Sequence, residues 1–190
     1  MVSQRASDVT PFRAMAVLER ANEIDDAVVL DGFSKRYAMT GWRLGWMVLP
    51  PDLVEPVNRL AQNVLICAPN FVQDAGVAAL ETSPERLAEI RESYRERRDL
   101  LVDAVADWGL SLDYVPQGAY YLLADVGHLP GDSMAVADLL LEEAGVATTP
   151  GIDFGERAAD CLRLSYATDR EAIAEAIKRV ERVLETVGAV

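Results

Sequence analysis

Lysine occurs only twice in this chain, at positions 35 and 178, although 18 residues are basic. Lys35 stands in the glycine-bearing stretch GFSKRYAMTGWRLGW, residues 32–46. An amine attacks a carbonyl carbon only when deprotonated, and desolvation or a neighbouring cation promotes that state. Both conditions are expected here, since an apolar run precedes the lysine and Arg36 and Arg43 lie close to it in sequence. Gly32, Gly41 and Gly45 permit tight turns and close approach of the backbone to a ligand. On these residues alone, the competing reading is a surface lysine in a polar hairpin.

Two β-like runs, Ala27 to Leu30 and Leu44 to Leu49, must hold that turn. Before them, TPFRAMAVLERANE reads as a helix with Thr10 at its N-cap and Pro11 in its first turn, where no N–H is required. After them, PPDLVEPVNRLAQNVLI and NFVQDAGVAALE read as two helices broken at Ala68-Pro69, and their apolar content predicts burial. A long helix follows, capped by Ser83, opened by Pro84 and stopped at Gly109, with Leu87, Ile90, Tyr94, Leu101 and Val105 at helical spacing. Strand character is expected in LDYV, AYYLLADV and CLRLSYA. Acidic starts and terminal glycines mark SMAVADLLLEEAG and DREAIAEAIKRVERVLETVG as amphipathic helices. Alternating strands and helices argue an α/β or α+β chain, with the long helix as a hinge between two halves.

Bulk composition excludes several function classes. Thirty-one acidic against 18 basic residues leave a formal charge of −13, which repels phosphate backbones and acidic headgroups, so neither nucleic acid nor membrane is an expected partner. The arginines of the long helix interleave with Glu89, Glu92, Glu96 and Asp99, which reads as a solvated, ion-paired face. Cys67 and Cys161 lack metal-site spacing and are expected to be buried apolar residues; no metal site is expected. His128 falls in the Gly/Pro loop VGHLPGD and reads as solvated. No apolar leader or spanning stretch is present in the sequence, so a cytoplasmic location is the expectation.

GFSKRYAMTGWRLGW resembles the lysine segment of the fold type I pyridoxal-phosphate enzymes, the class I and II aminotransferases, whose run is S-K, several residues, then G-W-R-x-G. Three further segments, CAPNFVQDAGVAALE, PQGAYYLLADV and VATTPGIDFGE, are similar to family segments in the same order. The resemblance implies that Lys35 condenses with the aldehyde of pyridoxal 5′-phosphate and later shuttles the substrate Cα proton. It implies that Arg43 binds the phosphate, with Ser34 as a further donor, and that Arg163 in CLRLSYA holds the substrate α-carboxylate. For Arg163 the alternative is a salt bridge at a strand edge. Tyr37, Trp42, Tyr120 and Tyr121 are expected mainly to pack, with pocket lining as their other role.

The implied fold is α/β: the last part of the large cofactor domain over residues 1–88, then the small α+β C-terminal domain over 89–190. An amino acid and a 2-oxo acid are the implied substrates, and a homodimer the implied assembly. The resemblance implies several departures from the family, among them the lack of the glycine-containing loop and helix N-terminus that bind the phosphate, the aromatic ring that stacks on the cofactor and the asparagine next to O3′. Gly32 replaces a serine that binds phosphate in some members, and the aspartate that pairs with the pyridine nitrogen would fall at or before Met1. Asp8 precedes a helix cap instead of ending a strand and is not read as its replacement. A C-terminal half, inactive alone and with sticky apolar edges, is therefore the expectation. A lyase or synthase of the same fold, or a noncatalytic interaction module, remains the alternative.

Overall fold

The computed structural model describes residues 27–188. The helix expected over TPFRAMAVLERANE, and Asp8, lie outside those residues. Two compact units divide the chain, Met1–Glu89 and Ile90–Val190.

In the first unit, strand β1 (Val29–Gly32) pairs antiparallel with β2 (Gly45–Val48), with Gly32 opposite Gly45 and Val29 opposite Val48. Between them lie the one-turn helix α1 (Phe33–Arg36) and a 3-10 turn over Thr40–Trp42. Helix α2 (Pro51–Val64) opens on a proline, which suits a position whose N–H would have no helical acceptor. Helix α3 (Asn70–Leu80) follows the expected break at Ala68-Pro69. Buried Phe33, Met39 and Ala79 form a small core, with Tyr37, Leu44, Trp46 and Ala75 packed around it.

The expected burial of the two helices is not met. No residue of α2 is buried, and Leu60, Val64, Leu65 and Ile66 are 63–79% exposed. Helix α3 buries Val72, Gly76 and Ala79 but leaves Phe71, Val77 and Leu80 exposed. An apolar helix is buried only where another apolar surface faces it, and a two-stranded ribbon offers too little area to cover two helices. Cys67 is likewise exposed and Cys161 half-buried, against the expectation that both would be buried.

Helix α4 (Pro84–Asp107) begins as its sequence demands, with the Arg86 N–H donating to Ser83 Oγ at 3.2 Å. It ends in a glycine turn, where Gly109 has φ 69° and the Leu110 N–H donates to the Val105 carbonyl. Ion pairs Arg86–Glu89, Arg95–Glu92 and Arg98–Asp99 stud its polar face.

The second unit carries a three-stranded antiparallel sheet in the order β3 (Tyr121–Asp125), β5 (Cys161–Ser165), β4 (Thr149–Pro150). Burial alternates along the strands, as the two-residue pleat requires. Leu122, Ala124, Leu162 and Leu164 point into the core, while Tyr121, Leu123, Cys161, Arg163 and Ser165 occupy the other face. Helix α5 (Ser133–Leu139) extends through a π turn over Leu140–Ala144, and α6 is Arg170–Thr186. Leu101, Val105 and Trp108 of the α4 end, Val136 and Leu140, and Ile173, Val180 and Leu184 close the core.

LDYV does not form a strand. The isolated bridge next to it, Ser111 to Asp125, falls one residue before the segment begins. Pro116, which follows at once and lacks an N–H, cannot extend a ladder. The strand expected from Ala119 begins two residues later, since Ala119 turns left-handed at φ 64°. Among the described residues no helix is long and apolar enough to cross a membrane.

Candidate functional site

Residues 33–44 leave and re-enter the ribbon through a narrow gate. A Cβ on Gly32 would lie 3.2 Å from the Leu44 carbonyl oxygen, and one on Gly45 3.1 Å from that of Asp31. Glycine at both positions lets the strands close, and the Phe33 N–H then donates to the Leu44 carbonyl at 3.1 Å. Phe33 anchors the excursion in the core, so that Ser34 and Lys35 follow on one helical turn, the first half-buried and the second exposed. Arg36 stacks over Tyr37 at 5.6 Å.

Farther round, Ala38 (φ 54°) and Arg43 (φ 53°) adopt left-handed backbone, which costs a residue with a Cβ about 1–2 kcal/mol each. Strain of this kind persists where surrounding structure imposes it, and it concentrates at ligand sites. The imposed shape is secured by the Arg43 guanidinium, which donates to the Thr40 carbonyl at 2.9 Å, and from below by α3. There Gly76 leaves room for Leu44, whose Cδ2 would sit 2.5 Å from an added Cβ. Lys35, Ser34 and Arg43 are thus held on a single excursion. The desolvation expected around Lys35 is not provided, since Lys35 and Arg43 are both exposed and β1 buries only Val29.

Arg163 belongs to the second unit, at the middle of the central strand, opposite Leu123 on one side and Thr149 on the other. Its guanidinium donates to Thr149 Oγ1 at 3.1 Å and lies 4.8 Å from the Phe154 ring and 5.4 Å from the Tyr121 ring. No carboxylate among the described residues pairs with it, so the strand-edge salt bridge considered from sequence is not what holds this residue. A half-buried cation kept by two rings and a neutral hydroxyl retains its attraction for an anion.

Sequence reasoning did not single out Thr149 or Phe154. Both lie in VATTPGIDFGE, a segment marked only by its likeness to a family turn. Of the aromatic candidates, Tyr37 packs on Phe33 (5.5 Å), Trp42 is exposed beside Phe71 (6.3 Å), and Tyr120 meets Tyr121 edge-on. A cleft of about 70 Å³ on the Arg163 side of the sheet is lined by Tyr121, Leu123, Asp125, Arg157 and Cys161 among others. Burial, reinforced by Asp125, Asp113 and Asp160, pushes the Cys161 thiol up from its ordinary range, making it a poor nucleophile at neutral pH. His128 is exposed, as expected. No group of three or more potential metal ligands occurs among the described residues.

A family model described as "Aminotransferase class I and II" matches residues 5–180. The (5-formylfuran-3-yl)methyl phosphate transaminase of Methanocaldococcus jannaschii is 35% identical over 173 residues, which are 90% of this chain and 46% of that protein. The valine–pyruvate aminotransferase of Mycobacterium tuberculosis is 42% identical over 159 residues, 82% of this chain and 40% of that one. The solved structure of an aromatic aminotransferase from Pyrococcus horikoshii superposes with a TM-score of 0.80 at 35% identity, over 86% of this chain and 44% of its own. The chain therefore spans somewhat under half the length of the relatives it matches.

Proposed function

The chain belongs to the class I and II aminotransferases, and from that premise we infer that it carries the cofactor lysine and the substrate arginine of a pyridoxal-phosphate-dependent transaminase. Residues 1–88 are assigned to the cofactor-binding large domain and 89–190 to the small domain. The substrates are an amino acid and a 2-oxo acid.

The observation that carries the reading is the excursion between Gly32 and Gly45, which presents an amine, a hydroxyl and a guanidinium on one strained loop. That donor set fits an aldehyde bearing a phosphate. The Lys35 Nζ would hold the aldehyde carbon, the Arg43 fork would meet two phosphate oxygens, and Ser34 Oγ would donate a further bond. When bound, pyridoxal phosphate supplies an electron sink for the carbanion at the substrate Cα. Lys35, released from the cofactor, would carry the proton to and from that carbon at Nζ. Arg163 would grip the α-carboxylate, a role supported by its lack of an acidic partner among the described residues. The relatives compared above are named as transaminases, which favours amino transfer over the lyase or synthase alternative. Exposed Leu60, Val64, Phe71 and Val77 support burial of this face in an assembly, for which a homodimer is our reading.

Reductive labelling tests the cofactor assignment. Pyridoxal phosphate is added to the purified chain, borohydride reduces the adduct, and peptide mass spectrometry maps the label. Label concentrated on Lys35 and absent from Lys35→Ala supports the reading, while label divided evenly among Lys35, Lys178 and the N-terminal amine refutes it.

A further inference from the structure

We propose that Phe154 and Thr149 are positioning residues for Arg163, fixing its guanidinium so that the remaining N–H edge faces an incoming carboxylate. This inference rests on Arg163 being the carboxylate site. A protein carboxylate would immobilise Arg163 equally well, but it would also neutralise the charge and occupy the donors that a substrate needs. An aromatic face and a neutral hydroxyl avoid both effects. The ring attracts the cation through its quadrupole without using an N–H, and Thr149 Oγ1 accepts from one terminal nitrogen only. Of the five N–H donors that a guanidinium carries, the rest have no acceptor among the described residues.

The geometry shows why Phe154 is the principal holder. Its centroid is 4.8 Å from the guanidinium carbon, nearer than Tyr121 at 5.4 Å. Phe154 is 50% exposed, an unusual position for a phenyl ring that buries little of itself, and the stack on Arg163 explains it. The turn that delivers it is rigid. Gly151 is buried against the Ala158 and Cys161 carbonyls with no space for a side chain, and Gly155 has φ 103° while its N–H donates to the Ile152 carbonyl. Tyr121 approaches from β3 and Phe154 from the turn after β4, so the guanidinium is flanked from both neighbours of the central strand.

The test is NMR of the ¹⁵N-labelled chain. Arg163→Gln identifies the Arg163 Nε–Hε resonance by its loss. Ring current from Phe154 is expected to displace that resonance, Phe154→Leu to abolish the displacement while keeping apolar bulk, and Phe154→Tyr to restore it. Titration with propionate, followed by the amide shifts of Thr149 and residue 154, is expected to give about a three- to thirtyfold weaker Kd in Phe154→Leu. Thr149→Val should weaken it in the same direction, and Phe154→Tyr should return it to the parent value. If Arg163→Gln loses propionate binding while Phe154→Leu and Thr149→Val keep the parent Kd, the positioning role is overturned and the carboxylate site stands. If Arg163→Gln leaves the affinity unchanged, both are overturned.

Discussion

Replacing Gly151 with alanine isolates the effect of space from that of backbone conformation. Gly151 is not among the residues with positive φ, so an L-residue meets no conformational penalty there. Its added Cβ, however, would overlap the carbonyl oxygen of Ala158 and lie 2.6 Å from that of Cys161. Neither obstacle can rotate away, because both are backbone and Cys161 is fixed in β5 opposite Asp125. Overpacking a well-filled site costs about 1–3 kcal/mol, and with two immobile carbonyls we expect the upper end, about 3 kcal/mol. In a unit of roughly 100 residues each kcal/mol moves Tm by about 4–8 °C, giving a fall of about 12–24 °C. Gly127→Ala is the comparator in the same unit. Its Cβ would be 3.2 Å from the Asp160 Cβ and 3.3 Å from Asp125 Oδ1, a mild crowding that a small shift relieves, so the expected cost is under about 1 kcal/mol. Thermal unfolding is followed by Trp108, buried in the second core, with Trp42 and Trp46 replaced by Phe so that one of the chain's three tryptophans reports. A Gly151→Ala protein as stable as Gly127→Ala would refute the argument that these carbonyls dictate glycine.

Other consequences follow from individual groups. Thr148 Oγ1 is buried without a hydrogen-bond partner among the described residues; Thr148→Val keeps the shape, removes the orphaned hydroxyl, and should raise stability by about 1 kcal/mol in urea unfolding. At slightly alkaline pH iodoacetamide should alkylate exposed Cys67 well before Cys161, whose thiol is held up by burial and three carboxylates; peptide mass spectrometry at timed intervals reads the order, and equal rates would contradict it. Glu175 accepts from the Arg179 Nε at 2.9 Å, and that bond and charge hold its carboxyl below the usual carboxylate range. A lowered carboxylate pKa stabilises the fold above the unfolded value and loses that contribution as pH falls through the folded one. The Tm deficit of Glu175→Gln should therefore be present near neutrality and vanish in acid.

What was legible from sequence was local. Ser83 and Pro84 start a helix because a hydroxyl and a missing N–H suit its first turn, and Gly109 ends it because left-handed backbone is inexpensive there. The strand character of YLLAD and CLRLS was legible in their aromatic and branched residues, and the Lys35 stretch was recognisable because its glycines and cations are close in the chain. Packing was not legible. Helix α2 carries many apolar residues yet buries none of them fully, since burial depends on what stands opposite and not on the helix itself. LDYV had the residue types of a strand but no continuous partner.

The amino-acid sequence alone determined the candidate groups: an amine at Lys35, guanidinium groups at Arg43 and Arg163, and glycines at both ends of the Lys35 excursion. Only the tertiary structure decided that Arg163 would sit mid-sheet between Tyr121 and Phe154, bonded to Thr149 and unpaired with acid among the described residues. The physical reason is that strand register and turn shape bring together residues far apart in the chain, and whether a cation there is neutralised or left attractive depends on those neighbours and not on its own identity.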